Sequence, residues 1–251
     1  MIPHLNTGML HELYQRRQSF PLYEDVLERL STSTASPEAL QFLGMLVLWK
    51  QPRHIFEFGS GTSTLFLSRL QHRLGATNRP ILTTIDHSQR YLGETRRLIG
   101  GDPDVCLLHA PLAVTECAGR VFTTYHPSYL RQVPQDVRFD IVLIDGPPAY
   151  RYGREAPLYH LAPFLTPDAL IILDDANCRP EEEALRNWES AWPDGFSVAR
   201  FPELPHGMAV LTIGESAMAM QPVAQHDQRN GDLERIKTYL SAEGGIFADG
   251  R

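Results

Sequence analysis

The sequence predicts an α/β protein built on a mostly parallel sheet. Three apolar runs end in acidic residues and are followed by helical patterns: Ile81–Asp86, Phe139–Asp145 and Ala169–Asp175. Two further apolar segments, Phe196–Phe201 and Met208–Ile213, follow one another without a helix and predict an antiparallel pair. Strands that alternate with helices are typical of a parallel sheet covered on both faces.

Length and composition fit one α/β domain with additions. The chain has 251 residues, of which 43% are hydrophobic and 21% are charged, as in ordinary globular proteins. A net charge of -7 argues against a nucleic-acid partner, which would need a basic face. Three scattered cysteines predict neither a disulfide framework nor a zinc site and favour a cytoplasmic location. No signal peptide or membrane span is predicted.

The chain divides into three predicted regions. Residues 1–50 form a helical extension that includes a helix starting at Pro37, with Ser36 as its N-cap. Residues 51–213 form the α/β core, and residues 214–251 form a polar C-terminal tail with a short helix. Within the core, residues 112–138 predict a surface loop carrying Tyr125, His126 and Tyr129, or alternatively a loop over a pocket.

A strand, a tight glycine turn and a helix are predicted from His54 to Thr64. The strand contains Glu57 and ends at Gly59 and Gly61. Neither glycine has a Cβ, so the backbone can approach a ligand closely. A dinucleotide-binding turn would need a third Gly or Ala where Thr64 stands.

Acidic residues end three other predicted strands. Asp86 stands where an acid accepts hydrogen bonds from ribose hydroxyls in nucleotide-binding folds, and it would also suit a helix N-cap. Asp145 ends the most apolar strand, and Asp174 and Asp175 end the next one. Because ligands of open α/β sheets bind at the carboxyl ends of the strands, these acids predict a ligand site.

Residues 53–213 resemble a class I S-adenosylmethionine-dependent methyltransferase, in a subset similar to small-molecule O-methyltransferases. The resemblance rests on the order of five segments, which are Glu57–Gly61, Asp86, His109–Leu112, Phe139–Pro148 and Leu173–Asn177. It implies a Rossmann-like, seven-stranded sheet, mostly parallel with an antiparallel final strand, and N-terminal helices that often close over the substrate. Packing against the edge of the sheet is the alternative for those helices.

The resemblance also implies the partners and the cofactor site. We expect S-adenosylmethionine as cofactor, a hydroxyl of a small molecule as methyl acceptor, and a chain that is compatible with a homodimer. The residues assigned to the cofactor are Glu57, Gly59, Ser60, Gly61, Thr62, Ser63, Asp86, His87, Ala110, Pro111 and Asp145.

Two mechanisms stay open. In metal-dependent catechol and caffeoyl-type O-methyltransferases, acids and an Asn after the fourth and fifth strands hold a divalent cation. Those positions are Asp145, Asp174, Asp175 and Asn177, which would suit Mg²⁺, although Ala176 interrupts the usual Asp-Asn pair. Without a metal, Asp145 or one of the histidines His126, His160 and His206 would accept the proton of the acceptor. The catalytic candidates are Asp145, Asp174 and His126.

Three other functions are weighed against O-methylation. The segment from Asp145 to Tyr150 is similar to the acid-Pro-Pro-aromatic motif of amino methyltransferases, but Gly146 and Ala149 break its spacing. The same fold would also serve as a non-catalytic cofactor-binding module. A NAD-dependent dehydrogenase is the third alternative, and the incomplete glycine pattern disfavours it.

Overall fold

A computed structural model describes residues 6–31, 34–74, 81–147 and 153–214 of the chain. The predicted C-terminal tail from residue 215 onward lies outside the described residues. The strands are β1 His54–Phe58, β2 Ile81–Asp86, β3 Val105–His109, β4 Leu112–Cys117, β5 Arg120–Tyr125, β6 Phe139–Ile144, β7 Leu165–Asp174, β8 Ser197–Phe201 and β9 Met208–Thr212. The helices are α1 Thr7–Arg16, α2 Glu24–Leu27, α3 Pro37–Lys50, α4 Thr62–Arg73, α5 Gln89–Leu98, α6 Ala156–Leu161 and α7 Arg179–Ala191.

Seven strands form one sheet in the order β3-β2-β1-β6-β7-β9-β8. The pairs from β3 to β7 are parallel, and β9 runs antiparallel to both β7 and β8. This confirms the predicted fold, because the final strand alone opposes the others. It also places the carboxyl ends of β1, β2, β6 and β7 along one edge of the sheet.

Alternation along the strands divides the core between two faces. On β1, Phe56 and Phe58 belong to the cluster beneath β4, β5, α6 and α7, whereas Ile55 belongs to the cluster with α1, α3 and α4. Side chains of a strand point to opposite faces with a period of two. Glu57 therefore faces α4, and its contacts there make it part of the site described below.

The N-terminal helices pack against the sheet. The Ser36 side chain accepts a hydrogen bond from the backbone N–H of Ala39 and Pro37 begins α3, as predicted. Tyr14 of α1 stacks against Phe201 of the edge strand β8, with 5.1 Å between the ring centroids. Helix α1 therefore packs against the edge of the sheet, which was one of the two alternatives predicted for the N-terminal helices. The boundaries of the three predicted regions stay a prediction.

The surface loop predicted for residues 112–138 is wrong. Strands β4 and β5 form an antiparallel hairpin with Ala118 and Gly119 at its turn, and a short 3₁₀ helix follows at Pro127–Gln132. Tyr125 and Tyr129 are buried, so they belong to the core. The strand pattern escaped prediction because polar Thr, Glu and Arg residues interrupt it and no Asn-Gly or Asp-Gly marks the turn.

No helix among the described ranges is both long enough and apolar enough to span a membrane.

Candidate active site

The glycine turn lies between β1 and α4, at the centre of the carboxyl edge. Gly59 has a φ of +97°, and a Cβ there would stand 3.0 Å from the carbonyl oxygen of Asp145. Only glycine fits this close approach of the β1 and β6 ends without strain. A Cβ on Gly61 would meet no atom within 4 Å, so the turn opens onto free space at that point.

Glu57 is fully buried beneath this turn. Its Oε2 accepts hydrogen bonds from the hydroxyls of Thr64 at 2.6 Å and Thr84 at 2.7 Å. Burial raises the pKa of Glu57 to about 7, and the hydroxyls of Ser63, Thr64 and Thr84 oppose this rise. Its Oε1 makes no well-directed hydrogen bond with the residues described. A buried carboxylate oxygen of this kind is suited to a cationic or hydrogen-donating ligand.

Thr64 explains why the third glycine of a dinucleotide turn is missing. Besides donating to Glu57, its hydroxyl accepts a hydrogen bond from the backbone N–H of Gly61 at 3.0 Å. The same side chain therefore caps the first turn of α4 and orients the buried acid. In the sequence, Thr64 stands out only because a dinucleotide-binding turn would have Gly or Ala at this position.

Asp86 at the end of β2 is buried and bonded to the glycine turn. Its Oδ2 accepts hydrogen bonds from the backbone N–H and the hydroxyl of Ser60, both at 2.9 Å, and Oδ1 accepts from the N–H of Ser88 at 2.8 Å. His87 Nδ1 lies 3.2 Å from the same carboxylate. Burial acts to raise the pKa of Asp86, but these donors outweigh it and the pKa is lowered. The carboxylate is thus charged at neutral pH.

The other residues assigned to the cofactor lie around Glu57 and Asp86. Thr62 and Ser63 are buried in the first turn of α4. The backbone N–H of Ala110 donates to the carbonyl of Asp86 at 2.9 Å, and Pro111 is exposed beside it. The structure therefore gathers the glycine turn, the β2 end and the β3 end on one edge.

Three aspartates meet at the ends of β6 and β7. One carboxylate oxygen from each of Asp145, Asp174 and Asp175 lies within 4.8 Å of the others. Burial and then the charge of Asp174 raise the pKa of Asp145 well above its usual range, against the influence of Arg154. Burial and the charge of Asp175 raise the pKa of Asp174 to about 6. Asp175 has a φ of +56°, which aspartate tolerates better than most residues.

Arg154 lies among these acids, although no motif in the sequence predicts it as a site residue. Its Nη1 is 2.7 Å from Asp175 Oδ2, and its Nη2 is 3.4 Å from Asp145 Oδ1. Its Nε lies 3.7 Å from Glu181 Oε1. No sequence motif reveals this residue, because its partners come from three separate elements of the fold. Only the positive charge near Asp145 in the sequence hinted at it.

The predicted Mg²⁺ site does not fit these residues as they stand. The aspartate spacing alone would suit a divalent cation, but the Arg154 guanidinium already contacts two of the three carboxylates. Asn177 does not complete the set, because its exposed side chain donates a hydrogen bond to the carbonyl of Pro202 at 3.0 Å. The intervening Ala176 shifts Asn177 toward the β8–β9 loop.

The three candidate histidines differ in how they relate to the aspartate cluster. His126 is exposed, and its Nδ1 accepts a hydrogen bond from the N–H of Ser128, so its described contacts do not join it to Asp145. Burial, followed by the charge of His126, lowers the pKa of His160 to about 4. The charge of His206 partly opposes the rise in the pKa of Asp174. Of the four candidate bases, Asp145 is the one that belongs to the aspartate cluster itself.

Tyr125 brings a hydroxyl from the β4–β5 hairpin to the same edge. The side chain is 1% exposed, and its hydroxyl has no hydrogen-bond partner among the described residues. After burial, the charges of Asp86 and Asp145 contribute most to raising its pKa. It also stands directly over Gly146, where a Cβ would clash with it. The remainder of the predicted turn, residues 148–152, lies outside the described residues.

Comparisons with known proteins bear on this arrangement. Residues 56–176, which run from β1 to just past the aspartates of β7, match a family described as a methyltransferase domain. Residues 56–176 form a class I S-adenosylmethionine-dependent methyltransferase domain. The enzyme thus carries the Glu57 turn, Asp86 and the three aspartates within the matched domain. The search of curated proteins finds no match.

Solved methyltransferases share the fold of this enzyme at low sequence identity. An O-methyltransferase from Bacillus cereus in complex with S-adenosylhomocysteine has a TM-score of 0.53 and 18% identity, covering 85% of this chain and 93% of that one. The methyltransferase PaMTH1 of Podospora anserina, also bound to S-adenosylhomocysteine, has a TM-score of 0.54 and 14% identity, covering 84% and 89%. CalS11, a TDP-rhamnose 3'-O-methyltransferase of calicheamicin biosynthesis, has a TM-score of 0.51 and 18% identity, covering 83% and 94%.

Proposed function

We propose that the enzyme transfers the methyl group of S-adenosylmethionine to a hydroxyl group of a small molecule. The observation that carries the proposal is Asp145, a partly exposed acid at the end of β6 with a raised pKa, beside the glycine turn and the other aspartates. A base is most effective when its pKa lies near the working pH, and desolvation moves an aspartate in that direction. The O-methyltransferases among the solved structures of the same fold support this acceptor type.

The residues around the glycine turn fit the cofactor. Open space in front of Gly61 leaves room for the methionine part, and the unengaged Oε1 of Glu57 suits its ammonium group. Asp86 suits the ribose hydroxyls, because a carboxylate can accept from two neighbouring donors. In this arrangement Ser60, Thr62, Ser63, His87, Ala110 and Pro111 line the adenosine side of the cleft.

The cofactor supplies an electrophilic methyl group on a sulfonium. Asp145 accepts the proton of the acceptor hydroxyl as the new oxygen–carbon bond forms and the sulfur–carbon bond breaks. The carboxylate of Asp174 lies within 4.8 Å of that of Asp145, and its negative charge adds to burial in raising the pKa of Asp145, which makes Asp145 a better proton acceptor. The products are a methyl ether, S-adenosylhomocysteine and a protonated Asp145, which returns its proton to water. No step of this mechanism uses Mg²⁺.

Cofactor binding is tested by isothermal titration with S-adenosylmethionine and with S-adenosylhomocysteine. We expect both to bind, and we expect NAD not to compete with either of them. Competition by NAD would favour a dehydrogenase, and the absence of binding would contradict the assigned cofactor site. Binding without turnover on any acceptor would indicate a cofactor-binding module.

The acceptor is tested by transfer of a radiolabelled methyl group to panels of catechols, hydroxycinnamates and sugar nucleotides, with amines as the competing class. We expect label in hydroxyl compounds only. The variant Asp145→Asn should lower turnover at least about a hundredfold, as loss of a general base does, and should leave the affinity for S-adenosylhomocysteine unchanged. Asp168→Asn is the matched control, because Asp168 lies at the opposite end of β7 and pairs with Lys50. Labelled amines, or full turnover by Asp145→Asn, would contradict the proposal.

A further inference from the structure

The guanidinium of Arg154 contacts two of the three carboxylates that would ligate a divalent cation. A cation coordinated by Asp175 Oδ2 at about 2.1 Å would lie within about 5 Å of Arg154 Nη1, which bonds to the same oxygen. The second terminal nitrogen, Nη2, faces Asp145 at 3.4 Å. Two positive groups at such a distance in a partly desolvated site repel each other strongly. The metal and the guanidinium are therefore alternatives at this site.

Contacts on every side hold the Arg154 side chain in place. The residue is 8% exposed. Besides the aspartates, its nitrogens lie 3.3 Å from the carbonyl oxygen of Asp174, 3.4 Å from that of Pro147 and 3.7 Å from Glu181 Oε1. Glu181 is itself 2% exposed, so its charge is compensated by Arg154 and hardly at all by water. The planar fork of arginine suits several fixed acceptors at once, in contrast to a swinging surface side chain.

The backbone beside Arg154 is fixed as well. The next residue, Glu155, is fully buried and accepts hydrogen bonds from Arg120 and from Asn187, the latter at 2.9 Å. The indole N–H of Trp188 donates to the carbonyl of Glu155 at 3.1 Å. Rotating Arg154 out of the aspartate cluster would leave the buried Glu181 and the two partly buried aspartates that it contacts without their cation, and such a change is costly.

We propose that Arg154 is the resident cation of the aspartate cluster and takes the place of a divalent metal. It acts as a positioning residue, because it holds Asp145 and Asp175 across the ends of β6 and β7. The methyl transfer that it would serve rests on the proposed function. Whether Arg154 excludes a metal from the cluster does not depend on that function, because metal binding can be measured without any acceptor or turnover.

Binding of Mn²⁺ followed by electron paramagnetic resonance tests the proposal directly, because the signal of the free aqueous ion is lost on binding. With S-adenosylhomocysteine present, the wild-type enzyme should bind no Mn²⁺ at millimolar concentration. Arg154→Ala should gain one Mn²⁺ site, and the double variant Arg154→Ala with Asp174→Asn should lose it again. Arg154→Lys keeps a positive charge and should bind none. Arg69→Ala, which breaks the ion pair with Asp25 elsewhere, is the matched control and should also bind none.

The opposite outcomes would overturn the proposal. Wild-type enzyme that binds Mn²⁺ and loses it in Asp174→Asn would show that the aspartates take a metal despite Arg154. A folded Arg154→Ala variant that gains no site would show that the guanidinium does not stand at a cation position. Circular dichroism reports whether the alanine variant folds. If it does not fold, the wild-type and Arg154→Lys measurements decide, with Mn²⁺ binding to either one contradicting the proposal.

Discussion

Tyr125 buries a hydroxyl that no described residue satisfies, and the charges of Asp86 and Asp145 act on its pKa. A buried polar group without a partner lowers stability, so Tyr125→Phe should leave the free energy of unfolding unchanged or raise it by up to about 1 kcal/mol. If the hydroxyl bonds to the bound cofactor, the same change should weaken S-adenosylhomocysteine binding by about fivefold to tenfold. Urea unfolding and isothermal titration measure the two effects separately.

Tyr129→Phe provides the control for this prediction. The Tyr129 hydroxyl is also buried without a described partner, but the charge that adds to the effect of burial on its pKa comes from Cys117 and not from an acid of the candidate site. Its removal should leave cofactor affinity unchanged. Equal losses of affinity in both variants would mean that Tyr125 acts through packing rather than through its hydroxyl.

Glu57 makes stability depend on pH. Its folded-state pKa of about 7 lies above the ordinary value of 4.5, so the folded protein keeps this proton over a range where the unfolded chain releases it. The stabilisation from Glu57 is therefore fully present below pH 4.5 and is lost as the pH rises to about 7, by at most about 3 kcal/mol.

The variant Glu57→Gln isolates this contribution, because glutamine does not titrate. Urea unfolding from pH 5 to pH 8 should show a gap between variant and wild type that moves in favour of the variant as the pH rises. A gap that stays constant over this range would show that Glu57 titrates normally in the folded protein.

At the scale of single residues, the sequence predicted the acids better than their partners. Asp86, Asp145 and Asp174 were predictable because each directly follows an apolar strand, and parallel strands bring their ends together. Arg154 was not, since its partners lie on β6, β7 and α7 and only the folded chain joins them. His126 looked suitable by chemistry alone, and the chain turns it toward Ser128.

One ion pair with a buried carboxylate joins the β4–β5 hairpin to the start of α6. Arg120 on β5 donates to both oxygens of Glu155 at 2.6 and 2.7 Å, and the Glu155 side chain is fully buried. Arg120→Ala should lower the free energy of unfolding by about 3 kcal/mol, because it leaves a buried carboxylate without its cation. Hydrogen exchange measured by mass spectrometry should increase across residues 112–125.

A double-mutant cycle checks the origin of this loss. Glu155→Gln keeps the shape of the side chain and removes its charge, so Arg120→Ala combined with Glu155→Gln should lose less than the sum of the two single changes. Additive losses would mean that the pair is not coupled, and that the hairpin is held by its apolar contacts.

At the scale of elements, helices with local signals were predicted and this hairpin was not. Ser36 and Pro37 mark the start of α3 within two residues. The hairpin turn instead uses Ala118 at a φ of +52° followed by Gly119 at +68°, and alanine seldom adopts such a conformation. Long-range contacts with Glu155 compensate for the unfavourable turn, and no local pattern encodes them.

The whole molecule is expected to unfold as one unit, N-terminal helices included. Phe201 of the edge strand is 1% exposed and packs against Tyr14 of α1 and Phe42 of α3, with ring centroids 5.1 and 4.6 Å apart. Phe201→Ala should cost about 3 to 5 kcal/mol and should shift the unfolding of helices and sheet together.

Circular dichroism and tryptophan fluorescence, followed in the same urea titration, measure this cooperativity. Leu48→Ala is a suitable control, because Leu48 lies on α3 with 41% of its surface exposed and should have little effect on stability. Two separate transitions in the wild type would show that residues 6–50 form an independently unfolding segment.

At this scale the sheet was predictable because each central strand is an almost unbroken apolar run. The resemblance implied seven strands with an antiparallel final one, and two apolar segments without an intervening helix predicted the antiparallel pair of β8 and β9. The side of α3 that packs against the sheet was not predictable, since this helix is apolar around most of its circumference.

Arg154 and Glu155 are consecutive in the chain and serve different neighbours, the aspartates in one case and the hairpin in the other. Anyone who grafts a foreign hairpin onto this scaffold would therefore disturb Arg154, one peptide bond away from Glu155, and through it the aspartates. A successful chimera would have to import the partner of position 155 together with the graft.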